Sequence, residues 1–340
     1  MDNKITRKRF ADFLSYEWIV ITVIILVAIF LWEVVFTLIA VKPTDGQRFK
    51  ILYDEGVASA YEKDIVVVTH NESRTYSFDV LEIGKEGLTT GIENEIGVRY
   101  KTRDCDVIVT THVELTTDSG VKYTRANYIT ESFNPWSYEK AVEDGDKYLE
   151  KLLKNGVKKI TAGDVNASYD YSQMDTEKID NLFSTRLKGD NRFRKAEQKA
   201  QGKLYERLRI EQLCKEVKYA KKLLREHSEI FYTYTLGQQA FDQATESGVV
   251  ENIKIAQKEL EDQIAINESK YKKEKLSYGI MVDKLEGGEY APQEFFTTTN
   301  GECKDLVLMA FDFLEYQPHL QFESLSFMNS IVRLCSSILD

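Results

Sequence analysis

Proline is scarce, with four among 340 residues, and this excludes a Pro-rich stalk. Cysteine is equally rare. Cys105, Cys214, Cys303 and Cys335 are widely scattered, with no CxxC and no Cys/His pair at ligand spacing. A zinc site and a dense disulfide framework are therefore not expected. Cys105, among apolar strand residues, and Cys335, on an apolar helix face, read as small buried hydrophobes. A single Cys303–Cys335 or Cys105–Cys214 bridge stays open. Excess positive charge is also missing: the net charge is −10, which argues against general nucleic-acid binding. The chain contains no GxSxG, P-loop, HExxH or GxGxxG pattern. His70, His112, His227 and His319 each lack a partner at catalytic or metal spacing. Asp104 and Asp106, on either side of Cys105, could form an acid/base pair but read more simply as solvated turn acids. No enzymatic activity, cofactor or metal is expected.

One long hydrophobic run is present, Trp18–Ala40, with Glu33 as its single charge. As a helix it would extend ~34 Å, enough to cross a bilayer core. A signal peptide would have a shorter apolar region, and the only cut site, after Ala40, has bulky Leu38 at the third position back. The run therefore reads as a retained transmembrane helix. Lys4, Arg7, Lys8 and Arg9 precede it, and Lys42, Arg48 and Lys50 follow it. That bias predicts a cytoplasmic tail over 1–17 and an extracytoplasmic body at the cell membrane. Glu33 lies ~6 Å from the midpoint of the run, where an acid costs up to about 3 kcal/mol. Two readings stay open: a protonated or snorkelling carboxyl, or a polar contact with another membrane helix.

Residues 41–47, with Pro43 and Gly46, read as a linker. Strands are predicted at Arg48–Tyr53, Ile65–Thr69, Thr75–Ile83 and Asp104–Thr111. The Val107-Ile108-Val109 run suggests burial on both faces. A helix is expected to start at the N-cap Ser137, with Tyr138, Ala141, Val142, Tyr148, Leu149, Leu152 and Leu153 on one face, and to stop at Asn155-Gly156. Arg186–His227 reads as one basic amphipathic helix, with fourteen Lys/Arg against six Asp/Glu. A turn-rich aromatic patch, Phe231–Tyr234, follows, then a helix near Val249–Lys275. The chain closes with a buried strand, Leu306–Phe313, and a helix, Leu320–Leu339.

This order, with the segments GVRYKTRDCDVIVT (97–110) and LVLMAFDFLEYQPHLQFESLSFMNSIVRL (306–334), resembles the extracytoplasmic solute-binding proteins of ABC transporters. The resemblance implies an α/β, two-lobed periplasmic-binding-protein-like domain with a mainly helical second lobe, preceded by one transmembrane helix. The first lobe would comprise 48–125 and 285–340, and the second 126–284. A plain helix in place of a lipid anchor, and few helices in the first β-rich part, imply a degenerate member with a reduced or lost cleft. The function implied is membrane-tethered binding of a small polar solute, such as a sugar, beside ABC permease subunits. The alternative is a non-enzymatic accessory or scaffolding protein of the envelope that contacts a membrane partner or an anionic polymer.

Ligand contacts are expected from strand ends and lobe crossings. Asp54 and Glu55 follow the first strand, and Thr111 and His112 end another, where open α/β sheets bind ligands. Trp136 and Tyr138 follow an Asn-Pro turn, and an indole face suits sugar rings. Partner contacts are expected from Glu33 in the bilayer and from Arg192, Arg194 and Lys195 at the start of the basic helix.

Overall fold

The computed structural model describes residues 7–39, 48–54, 56–59, 82–87, 92–102, 104–116, 122–133, 135–186, 193–236, 275–312 and 318–338. The chain forms two units, Met1–Pro43 and Thr44–Asp340. The first contains the helix α1 (Arg7–Ile39). Its window Trp18–Val35 has a mean hydropathy of 2.8 and none of it is buried within the protein. Among the described residues this is the one helix long and apolar enough to cross a membrane.

Among the described residues the second unit is built on a six-stranded mixed sheet. Its strands are β1 (Arg48–Tyr53), β3 (Glu82–Gly87), β4 (Val107–Thr111), β7 (Phe231–Tyr234), β8 (Leu276–Met281) and β10 (Leu306–Ala310), in the order β3-β1-β4-β10-β8-β7. β1 pairs in parallel with both β3 and β4. The remaining pairings are antiparallel, with Leu306 opposite Thr111 and Ala310 opposite Val107. Two small ribbons are also present among the described residues. In one, β2 (Val57–Ser59) pairs with β9 (Phe296–Thr298); in the other, β5 (Glu114–Thr116) pairs with β6 (Lys122–Thr124).

Period-2 alternation sends side chains to both faces of the sheet, and both faces are covered. Phe49, Ile51, Tyr53, Val107, Val109, Ile280, Leu306 and Leu308 pack into one apolar cluster. Its other side comes from α4 (Tyr138–Glu150), α5 (Thr176–Arg186), α6 (Ala196–Glu226) and α7 (Pro318–Cys335). Leu52, Ile108, Tyr232, Tyr278, Val307 and Met309 form the opposite cluster with α2 (Ile92–Thr102) and α3 (Arg125–Phe133). The unit is thus a mixed α/β fold with helices on both faces of its sheet.

Local sequence explains several elements. Ser137 caps α4 by accepting the Lys140 N–H at 3.2 Å, and Tyr138, Ala141, Val142 and Leu149 are buried as their spacing predicts. From Phe322 to Val332 every residue of α7 is buried, so its polar groups need internal partners. Glu216 of α6 supplies that of Asn329 and also pairs with Arg333. It accepts from Asn329 Nδ2 at 2.8 Å and from both terminal nitrogens of Arg333 at 2.8 and 3.1 Å.

Several expectations need correction. The aromatic segment Phe231–Tyr234 is not a turn-rich patch but strand β7, the end of the sheet among the described residues, and Leu276–Met281 is a strand absent from the sequence expectations. The strand expected from Asp104 starts at Val107. The basic helix is interrupted: α5 ends at Arg186 and α6 begins at Ala196. The expected strand Ile65–Thr69 and helix Val249–Lys275 lie outside the described residues, Lys275 apart. The expected strand Thr75–Ile83 also falls largely outside them, and β3 begins at Glu82. A two-lobed binding-protein fold is not what the described residues show. β7 and β8, from the expected second lobe, share one sheet with β1, β4 and β10 from the first.

Candidate functional site

β1 and β4 are neighbours, yet the next strand of the sheet after β1 is β3 on one side and the next after β4 is β7 on the other, so the connections from the two strands run in opposite directions. In an open α/β sheet, such a reversal opens a crevice at the carboxyl ends of the strands, where ligands bind. Asp54 follows β1 at this point and Thr110 lies near the end of β4.

Here the Asp54 carboxylate is occupied by the chain's own side chains. Arg125, the first residue of α3, bonds the Asp54 carboxylate through Nε at 3.1 Å and Nη2 at 2.8 Å. Thr110 Oγ1 donates to the same carboxylate at 2.5 Å. The side chains of Asp54 and Arg125 are 0% and 8% exposed, so this is a desolvated, two-pronged clamp tying α3 to both parallel strands. Backbone bonds reinforce it: the Asp54 N–H donates to the Val109 carbonyl, and Asp54's carbonyl accepts from Val57. Gly56 then turns the chain at φ 78°, a conformation glycine adopts without strain.

Thr111 and His112 lie at the same end, both half-buried. The His112 ring stands edge-on to Tyr232 at 5.8 Å, and its backbone N–H donates to the Asp305 carbonyl. Glu55 lies outside the described residues. Trp136 and Tyr138 are not part of this cluster. The Trp136 backbone N–H donates to Ala310, which sits opposite Val107 at the other end of the sheet. Its indole is 2% exposed, donates to Asp144 Oδ2 at 3.0 Å and meets Phe322 edge-on. Tyr138 is 1% exposed, donates to Asn329 Oδ1 at 3.2 Å and packs on Phe231. Burial pushes its phenol well above the ordinary tyrosine range. Both rings are anchors of α4, with no face open to a sugar.

Much of the basic helix's charge is spent inside the fold. Arg207 makes two 2.8 Å bonds to Asp180 of α5, and this guanidinium holds Asp180 below the usual carboxylate range. Lys203 lies 3.7 Å from the same carboxylate. Lys221, 2% exposed, reaches Asp146 Oδ2 at 2.9 Å and the Ala167 carbonyl at 3.0 Å. Arg209 lies between Glu206 and Glu323, all three buried. Arg194 and Lys195 are exposed, and Arg192 lies outside the described residues. In the first unit, Glu33 lies on the exposed surface of α1.

At the opposite end of β4, Asp106 is buried and accepts the Lys50 N–H at 2.7 Å. Burial pushes its carboxyl up to about 7, with the Asp104 charge adding and the Lys50 N–H opposing. Asp104 bonds Lys50 at 2.6 Å and Arg99 at 3.2 Å, so it is an ion-paired junction residue. All four cysteines are free thiols. Among the described residues no group of three or more His, Cys, Asp or Glu could hold a metal ion.

The polar residues that govern these sites escaped the sequence reading. Arg125 had no distinctive signal, because its partner lies 71 residues away. Asp146, Glu216 and Arg333 likewise find their ion-pair partners on other helices.

The chain is thus a mixed α/β protein with an amino-terminal apolar helix, and its sheet's switch point is filled by an internal ion pair. Comparison with known protein families, characterised proteins and solved structures finds no match to it.

Proposed function

We propose that this chain is a membrane-tethered, non-enzymatic accessory protein that acts by contacting a membrane partner rather than by enclosing a small solute. The observation that carries this reading is the Asp54–Arg125–Thr110 clamp. The carboxylate best placed to meet a ligand is consumed by internal bonds, and Trp136 and Tyr138 are buried elsewhere. A span retained as an anchor keeps the body at the bilayer, and the Lys/Arg bias ahead of Trp18 favours an extracytoplasmic body. Glu33 supplies the polar group for a contact within the bilayer, where such residues mark helix–helix or functional sites. An ABC permease subunit is one partner of suitable chemistry.

The test is a thermal-shift screen of the detergent-solubilised full chain against sugars, amino acids, peptides and metal ions. A ligand at a hundred times its dissociation constant stabilises by about 2.7 kcal/mol, an easily measured rise in melting temperature. The expected result is no shift across the library. A reproducible shift with a sugar or peptide, lost on His112→Ala, would return the chain to the solute-receptor class.

A further inference from the structure

The outer face of α6 carries a pattern that neither the fold nor the proposed function uses. Glu197, Gln201, Leu204, Leu208, Glu211 and Lys215 follow one another at alternating four- and three-residue steps. Steps averaging 3.5 residues hold side chains on one stripe of a helix, the seam of a coiled coil. The buried residues of α6, including Gly202, Glu206, Arg209, Leu213, Val217 and Ala220, lie on the opposite side. The stripe faces solvent: Leu204 is 48% exposed and Leu208 42%, and Glu197, Gln201 and Lys215 are exposed too.

The sequence of the stripe is self-complementary when reversed. In an antiparallel pair of α6 helices related by a two-fold axis level with residue 206, Glu197 faces Lys215 of the second copy. Gln201 faces Glu211, and Leu204 faces Leu208. Each contact occurs twice, as in any isologous interface. The leucines form an apolar centre, the amide–carboxylate pairs flank it, and opposite charges close both ends ~27 Å apart. A parallel pairing would instead set Glu197 against Glu197 and Lys215 against Lys215. We infer that this face of α6 is a homodimer interface, occupied by α6 of a second copy in antiparallel register. Lys215 is already within 3.2 Å of Glu211 on its own helix, so the second copy's Glu197 would join an existing charged pair. Two leucines per copy are a small apolar centre, so specificity rests on the charge pattern.

Sedimentation equilibrium of the full chain in density-matched detergent tests this. The wild type is expected to self-associate. Glu197→Lys and Lys215→Glu each set like charges face to face twice, and each should weaken the dimer by about tenfold. The double variant Glu197→Lys/Lys215→Glu restores opposite charges and should recover the affinity to within about threefold. Leu204→Gln, which keeps a good helix former on an exposed position, should weaken association without moving the melting temperature. A chain that stays monomeric at the highest concentration overturns the proposal. So does a dimer indifferent to the single reversals, as one held only by α1 would be, or a double variant no better than the singles.

Discussion

Removing Arg125 should destabilise the α/β unit far more than any change at an exposed arginine. Arg125→Met takes two bonds from the Asp54 carboxylate, those at 2.8 and 3.1 Å, and leaves the 2.5 Å bond from Thr110 in place. Asp54 is 1% exposed, so water cannot replace the guanidinium without opening the end of the sheet. Breaking a buried pair from one side typically costs about 3–5 kcal/mol. With a urea m-value of roughly 3 kcal/mol/M, the unfolding midpoint should fall by about 1–1.7 M. Asp54→Asn/Arg125→Met removes both charges, and buried pairs replaced as a unit often cost little, so its midpoint should return most of the way. Fluorescence of the full chain in detergent can follow the transition, because buried Trp136 reports on this unit. If Arg125→Met leaves the midpoint within about 0.3 M of wild type, Asp54 and Arg125 are not a stability clamp, and a ligand-binding role regains ground.

Other perturbations have equally definite signs. Asp106 titrates near 7 in the fold and at 3.8 as an ordinary carboxylate, so its burial costs least below about pH 4 and the cost grows as pH rises towards 7. Asp106→Asn keeps an acceptor for the Lys50 N–H and should gain on wild type between about pH 5 and pH 8 in urea midpoints; an equal gap at both values contradicts the assignment. A Cβ on Gly145 would lie 2.5 Å from Val217 Cγ2, so Gly145→Ala should cost about 1–3 kcal/mol by overpacking. Adding Val217→Ala should recover part of that loss, and strict additivity of the two changes would argue against the contact. Burial holds the Cys303 thiol up at about 11 and those of Cys214 and Cys335 at about 12. A thiol reagent at neutral pH should therefore label the native chain slowly and all four cysteines after unfolding; rapid labelling of two native thiols would refute this packing.

Legibility in the sequence followed locality. α4 could be read because its cap, Ser137, and its apolar face sit within a few turns of each other. β4 and β10 announced themselves as unbroken apolar runs, as strands buried on both faces do. β7 was obscured because aromatic residues on both faces remove the alternation that marks a strand. β8 was obscured by Ser277 and Gly279; a Cβ on Gly279 would lie 2.6 Å from the Leu308 carbonyl oxygen, so close packing selects a residue that weakens the strand signal. The basic character of α6 was plain from its charges, but not their destinations. Lys221 ends on Asp146 and Arg207 on Asp180, contacts that exist only once three helices are assembled. The place of Asp54 directly after β1 is legible in the sequence. Its role was hidden because Arg125 lies far along the chain.

The proposed role at the membrane is most directly tested by in-cell photocrosslinking from α1. A photoreactive residue takes the place of Trp32, next to Glu33, in the otherwise wild-type chain and in the Glu33→Leu variant. A discrete protein adduct is expected when Glu33 is present. In the Glu33→Leu variant that adduct should be lost or markedly weakened, at unchanged membrane abundance. Lipid adducts alone in both chains, or the same protein adduct in both, would contradict a partner contact built on Glu33.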